Sequence, residues 1–147
     1  MKKIALIITG LLVLGIIVGC NPAPKKSSSN PTGLKVTGPQ TFVAKGQTPE
    51  QHVKQYYKHI IDGQYAKAYA MLPALTKKKE TQKQWTGMFS SFKIKSYKIE
   101  KVQKQKQSIT IMVSYDLGQY GKWNAVWAFA NHQTGWIVAS SSSAAAK

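Results

Sequence analysis

The spacing of apolar residues changes once along this chain, near Phe92, and that change limits the folds open to it. Before Phe92, apolar residues recur every three or four positions, which is the period of a helix with one buried face. After Phe92 they recur at every second position, as in a strand with one buried face. Helices followed by strands indicate an α+β domain in which helices cover one face of an antiparallel sheet.

Two capping boxes mark helix starts in the first part of the domain. Thr48 and Gln51 form one box, with Pro49 suited to the first helical turn, and a second box lies at 81–84. Gly63 ends the first apolar run, and Pro73 stops the second. Three helices are therefore predicted at about 49–62, 64–72 and 82–91, with 73–79 as a loop.

Four alternating segments follow, and they predict a curved four-stranded antiparallel sheet. The segment over 109–117 alternates without interruption. The segment over 92–103 changes parity midway, which predicts a β-bulge near Ser96. The remaining two strands are expected at about 123–129 and 136–139.

Segments without either period set the expected domain limits. Residues 20–47 are rich in Pro, Ser, Gly and Lys, so they predict a flexible tether, with a short strand near Phe42 as an alternative. The folded domain is expected over 48–140, and residues 141–147 are expected to form a disordered tail.

The first 20 residues have the pattern of a signal peptide. Two lysines precede an apolar run of about 15 residues, which is shorter than the ~20 that a helix needs to cross a bilayer. The sequence IVGC at 17–20 resembles the lipobox of bacterial lipoproteins. This resemblance implies removal of residues 1–19, a lipid such as palmitate on Cys20, and a lipid-anchored position on the extracytoplasmic face of the cell membrane. An uncleaved anchor helix is the alternative.

Cysteine and lysine usage narrow the function further. Cys20 is the single cysteine, so no disulfide, thiolate zinc cluster or cysteine nucleophile is expected in the folded part. All 21 basic residues are lysines, against 5 acids, and the net charge of +16 falls to +14 once the two signal lysines are removed. The absence of arginine argues against a specific nucleic-acid reader. Lysines suit loose attraction to anionic lipid or cell-wall polyanions, with simple solubility as the alternative.

Ten lysines lie between residues 77 and 106. They would form one basic patch if the first strand lies beside the lysine-rich loop, and a solvated rim is the alternative reading. The residues assigned to the candidate patch are Lys77, Lys78, Lys79, Lys83, Lys93 and Lys95.

Three stretches in the domain resemble the cone-shaped domains of the nuclear transport factor two-like superfamily. They are TPEQHVKQYYKHIIDGQYAKAYAML, WTGMF and GWIVAS, within 48–140. The superfamily includes polyketide cyclases and ketosteroid isomerases, and the resemblance implies a pocket between helices and sheet. In the enzymes, an inward carboxylate or histidine acts as base and tyrosines act as donors. Small bacterial lipoproteins with such a domain are mostly of unknown role.

Few residues qualify as a catalytic base or metal ligand. Asp116 shares the parity of the polar strand positions and precedes Gly118, so we expect it to cap a turn, with a pocket base as the alternative. His132 lies in a turn and is expected to be exposed. His52 and His59 are seven residues apart, roughly 10 Å along a helix, too far to share a metal without further ligands. No catalytic residue, metal or cofactor is therefore assigned.

Large aromatic side chains are numerous in the domain. Most are expected to fill the core, because aromatic residues dominate such cores. The alternative is an open pocket with aromatic walls, in which Tyr hydroxyls and Trp N–H groups orient a ligand. The residues assigned to the candidate pocket are Tyr56, Tyr69, Trp85, Trp123 and Trp127.

Together these patterns predict a membrane-anchored extracytoplasmic lipoprotein with a non-catalytic cone domain. Its expected partners are the membrane, an anionic polymer or another envelope protein. The alternative is a small-molecule binding protein, or a cyclase- or isomerase-like enzyme, that uses the aromatic pocket. A carboxylate directed into an open pocket would favour this alternative, and a filled interior would exclude it.

Overall fold

The structure is a computed structural model, and it describes residues 38–146 of the chain. The predicted signal peptide at 1–19, the lipidation site at Cys20 and most of the predicted tether lie outside the described residues. Within 38–146, no helix is both long and apolar enough to cross a bilayer.

The described residues form an α+β domain in which the helices precede a single antiparallel sheet. The strands pair with their sequence neighbours, in the order β1-β2-β3-β4. The helices are α1 (Pro49–Ile61), α2 (Tyr65–Ala70), α3 (Ala74–Lys79) and α4 (Gln82–Ser91), and the strands are β1 (Ser96–Lys104), β2 (Ser108–Asp116), β3 (Lys122–His132) and β4 (Gly135–Ala145).

Local capping chemistry explains where the helices begin. In α1 the backbone N–H of Gln51 donates to Thr48 Oγ1, and the Thr48 N–H donates to Gln51 Oε1 at 2.7 Å. The same reciprocal pair starts α4, so both predicted capping boxes are confirmed. The predicted loop at 73–79 is wrong, because most of it forms α3. Pro73 was interpreted as a stop signal, but it stands at the N-cap of this next helix.

Strand β1 contains a β-bulge, but at Glu100 and not near Ser96, where one was predicted. The pairing register shifts between Ile99 and Lys101 and leaves Glu100 as the extra residue. Because a bulge reverses parity, Ile99 before it and Val102 after it both pack against the core. The predicted change of parity between Ile94 and Tyr97 lies at the entry to β1, so the bulge at Glu100 is a second change of parity.

The segment before α1 docks on the sheet and does not belong wholly to the tether. Val43 N donates to Trp136 O at 2.8 Å, and Val138 N donates to Thr41 O at 2.8 Å. Val43 is buried in the core cluster. The ordered part of the chain therefore starts before the predicted limit at 48.

Strand β4 continues through most of the segment that was predicted to be a disordered tail. Ser141 pairs with Trp127, and Ser143 pairs with Ala125. A run of serine and alanine has no apolar alternation to reveal a strand. Ladder hydrogen bonds come from backbone groups that every residue here possesses, so the pairing does not require such alternation.

The core lies between α1 and the inner faces of β2 and β3. Val53 on α1 and Ile111 on β2 have no exposed surface, and Trp127 on β3 is 2% exposed. Strand β2 alternates buried and accessible side chains, as its sequence predicted. Six aromatic residues are buried in this core, and others pack against it, but a partly open space remains.

Candidate functional site

A partly open cavity of about 260 Å³ remains between the helices and the inner face of the sheet. Pockets that hold drug-sized ligands have volumes of about 300–1,000 Å³, so this one suits a smaller molecule. Its walls combine aromatic rings with hydroxyl groups and one carboxylate. The lining residues used below are Tyr56, Tyr57, Glu80, Trp85, Tyr115 and Trp127.

The cavity exists because β4 carries small side chains opposite the helices. Nearer the start of β4, Val138 is 1% exposed and fills its position. Further along, Ser141 pairs with Trp127 and Ser143 pairs with Ala125. Residues paired across antiparallel strands share a face, so both serines lie on the helix side of the sheet. Two hydroxymethyl groups therefore occupy positions where larger side chains would close the space.

The aromatic walls meet at steep angles. The Tyr56 ring on α1 lies 4.6 Å from the Trp127 ring at an interplanar angle of 68°. It lies 6.2 Å from the Trp85 ring on α4 at 60°. Phe89, one turn after Trp85, has its ring centroid 4.3 Å from that of Trp85. Rings inclined in this way border the cavity on several sides, and their faces point in more than one direction.

Burial raises the pKa of the tyrosine hydroxyls in the cavity above a value at which they are already neutral at physiological pH. It raises the pKa of Tyr56 well above the usual range, and the nearby Tyr57, Tyr115 and Glu80 raise it further. Burial also raises the pKa of Tyr57. The pKa of the Tyr115 hydroxyl is raised by burial as well. All three phenols therefore remain hydrogen-bond donors at physiological pH.

Glu80 supplies the carboxylate of the cavity, at the junction of α3 and α4. Its backbone carbonyl accepts a hydrogen bond of 2.7 Å from the Tyr69 hydroxyl, which ties the junction to α2. Glu80 and Tyr56 both line the cavity, and the Glu80 charge adds to the rise in the Tyr56 pKa. Our sequence analysis missed Glu80. The available signal was that it is the single acid between Asp62 and Glu100 and directly precedes a helix N-cap.

Three of the five predicted pocket residues come together at the cavity: Tyr56, Trp85 and Trp127. Tyr69 is not part of the lining, and its ring supports Trp85 at a centroid distance of 6.0 Å. Trp123 lies further along β3, where its Nε1 donates to a backbone carbonyl of the preceding turn. Local spacing identified the aromatic faces but could not identify which rings share one space.

The other candidate acids and histidines lie outside the cavity lining. Asp116 Oδ1 accepts from Gly118 N at 2.6 Å, so its predicted role as a turn cap is confirmed. His132 is exposed as predicted, but it is the last residue of β3 and not part of the turn. His59 bonds to a glutamine side chain at 2.7 Å. In the described part of the chain, no three His, Cys, Asp or Glu side chains are grouped as metal ligands would be.

His52 is buried beside the cavity wall. Its Nε2 lies 3.1 Å from Met71 O, and its ring meets the edges of Trp127 and Phe129. Burial lowers the pKa of His52 below its usual value of 6.5, although the Met71 carbonyl opposes this shift. The folded protein therefore keeps this imidazole neutral at pH values where the unfolded chain protonates it.

We expect the free energy of unfolding to fall as the pH decreases through about 6.5, because only the unfolded chain then takes up a proton at His52. Urea melts at about pH 7.5 and about pH 5.5 would measure this loss, which levels off below the folded-state pKa. His52→Gln should remove that part of the pH dependence, and His59→Gln should retain it. An unchanged pH dependence in His52→Gln would contradict this assignment.

The predicted basic residues are not gathered into one strip. Helix α3 contacts β4, whereas β1 lies at the opposite edge of the sheet. The Lys77 ammonium group already donates one hydrogen bond, from its Nζ to Ala70 O at 3.0 Å. Positive charge is therefore distributed over both edges of the domain. Of the candidate patch, Lys77, Lys78 and Lys79 lie on α3, Lys83 lies on α4, and Lys93 and Lys95 lie just before β1.

Comparison with known proteins does not assign this chain to a family. No protein-family model matches the chain, and no curated protein matches it significantly. The functional argument therefore depends on the sequence patterns and on the cavity.

Proposed function

We propose that this chain is a lipoprotein anchored through Cys20 to the extracytoplasmic membrane face, and that its cone-like domain binds a small molecule. The anchoring rests on the sequence at 17–20 alone. The observation that carries the small-molecule role is the partly open cavity, whose lining includes Glu80 and three tyrosines. Filling such a space with apolar side chains would stabilise the domain, so a module used only through its outer surface has no need to keep it.

An isomerase- or cyclase-like activity is the second candidate. It is favoured by the presence of Glu80 and of the buried, neutral Tyr56 in the lining of the same cavity. A carboxylate can accept a proton from a substrate, and a neutral phenol can stabilise an oxyanion that develops beside it. Binding alone requires fewer assumptions, and it is our first proposal.

The proposed setting also gives the lysines a role. The lipid on Cys20 would hold the domain at the membrane surface, where each lysine near anionic headgroups adds about 1 kcal/mol of attraction. Because the lysines lie at both sheet edges, this attraction would be loose and sensitive to salt. Anionic cell-wall polymers and another envelope protein remain proposed partners on the same grounds.

Filling the cavity is expected to abolish small-molecule binding without unfolding the domain. The probe is 4-fluorophenol, a small ring with one hydroxyl, observed by fluorine NMR with the full chain in neutral detergent. Ser141→Leu would direct a larger side chain to the helix side, opposite Trp127, and remove most of the binding. Ser140→Leu is the matched control, because Ser140 pairs with Ala128 on the other face of the sheet.

Thermal melting of both serine variants would show that each is folded. Equal probe binding by the two variants would place the probe outside the cavity. A wild-type chain that does not bind the probe at millimolar concentration would count against a small-molecule role and favour the surface-interaction reading.

A further inference from the structure

Glu80 differs from the other acidic residues of the described chain in having no partner for its carboxylate. No basic side chain within residues 38–146 lies within ion-pair distance of it, and the Tyr69 hydroxyl bonds only to its backbone oxygen. The other four acids are engaged: Asp62 with Lys58 at 2.7 Å, Glu100 with Lys98 at 2.9 Å, Glu50 with Lys104 at 3.4 Å, and Asp116 with Gly118 N at 2.6 Å.

No cationic side chain of the described residues lines the cavity. The chain has 21 lysines, yet none is among the lining residues within the described range. Lys77 follows the lining residue Thr76, but its Nζ bonds to the Ala70 carbonyl. The one formal charge at the cavity is therefore negative, in a protein whose net charge is +16.

The aromatic walls, like the carboxylate, attract positive charge. Ring faces carry negative charge density, and a cation held over Trp or Tyr rings is stabilised by about 0.5–2 kcal/mol. Tyr56, Trp85 and Trp127 offer rings at angles of 60° and 68° to one another. An anionic ligand would be repelled by Glu80, and a neutral ligand would remove water from that carboxylate without replacing its interactions.

We propose that the cavity binds a small organic cation, a primary amine or a substituted ammonium group. Glu80 would pair with the charge, and the rings of Tyr56, Trp85 and Trp127 would surround the adjoining carbon atoms. This inference rests on the small-molecule role proposed above and adds the charge of the ligand to it. The volume of about 260 Å³ limits that ligand to a compact molecule.

The test compares benzylamine, which is cationic at neutral pH, with benzyl alcohol, which has nearly the same size and no charge. Both are titrated by calorimetry into the full chain in neutral detergent. We expect wild type to bind benzylamine about tenfold more tightly, which corresponds to ~1.4 kcal/mol. Glu80→Gln keeps the side-chain size and removes the charge, so it should weaken benzylamine binding and abolish the preference over benzyl alcohol, whose affinity should not fall. Glu100→Gln, at an exposed acid on β1, should change neither affinity.

Three outcomes would overturn the inference. They are equal wild-type affinities for the two probes, an unchanged preference in Glu80→Gln, and no binding of benzylamine. In each case 4-fluorophenol separates this inference from the broader proposal. If 4-fluorophenol still binds in the cavity, the preference for a cation is wrong and the small-molecule role stands. If neither benzylamine nor 4-fluorophenol binds, the pocket itself is rejected.

Discussion

Trp127→Ala is expected to lower the free energy of unfolding by about 3–5 kcal/mol, the range found for removing large aromatic side chains from protein cores. Trp127 is 2% exposed. Its ring lies 4.6 Å from Tyr56 on α1 and 6.3 Å from Phe129 on β3. The substitution therefore removes contacts that join the helix layer to the sheet. Denaturant melts of the variant and of wild type measure the difference.

Two further variants separate packing from other effects of that substitution. Val126→Ala changes the neighbouring residue, which is 37% exposed on the outer face, and should alter stability by no more than about 0.5 kcal/mol. Trp127→Phe should cost less than Trp127→Ala, since a ring remains and the buried Nε1, which has no acceptor among the described residues, is removed. If Trp127→Ala is as stable as wild type, the indole is not a core group.

Cys20→Ser is expected to abolish membrane attachment completely. A serine has no thiol to carry the lipid, so the peptidase that requires a lipidated cysteine would leave the precursor uncut. Intact-mass spectrometry and membrane fractionation of cells that express each form measure this outcome. Ser27→Ala, in the predicted tether, should be lipidated and cleaved normally. A wild-type chain that is unmodified and begins at Met1 would show that the lipobox interpretation is wrong.

Sequence reasoning located the elements whose signals are local. A capping box occupies four consecutive residues and uses only their own backbone and side chains, and both predicted boxes are present. The inward face of β2 was equally clear, because alternation is set by the pleat of one strand. Asp116 was assigned correctly for a similar reason, since a turn cap depends on a donor two residues away.

The features that sequence reasoning missed depend on distant parts of the chain. The C-terminal half of β4 is ordered by pairing with β3, and its Ser and Ala residues give no period of their own. The cavity was harder still to predict, because its volume is the space left between α1, α4, β3 and β4. Glu80 acquires its position from the junction of two helices, one of which was not predicted.

The β-bulge at Glu100 bears on whether copies of this protein would aggregate if they were crowded on a membrane. Strand β1 is an outer edge of the sheet, and unpaired edges of this kind can recruit a second strand and begin aggregation. Here the edge is interrupted by the bulge and bears Lys98, Lys101 and Lys104. Lipid anchoring would confine many copies to two dimensions at high local concentration. The like charges and the broken ladder would then keep neighbouring edges apart.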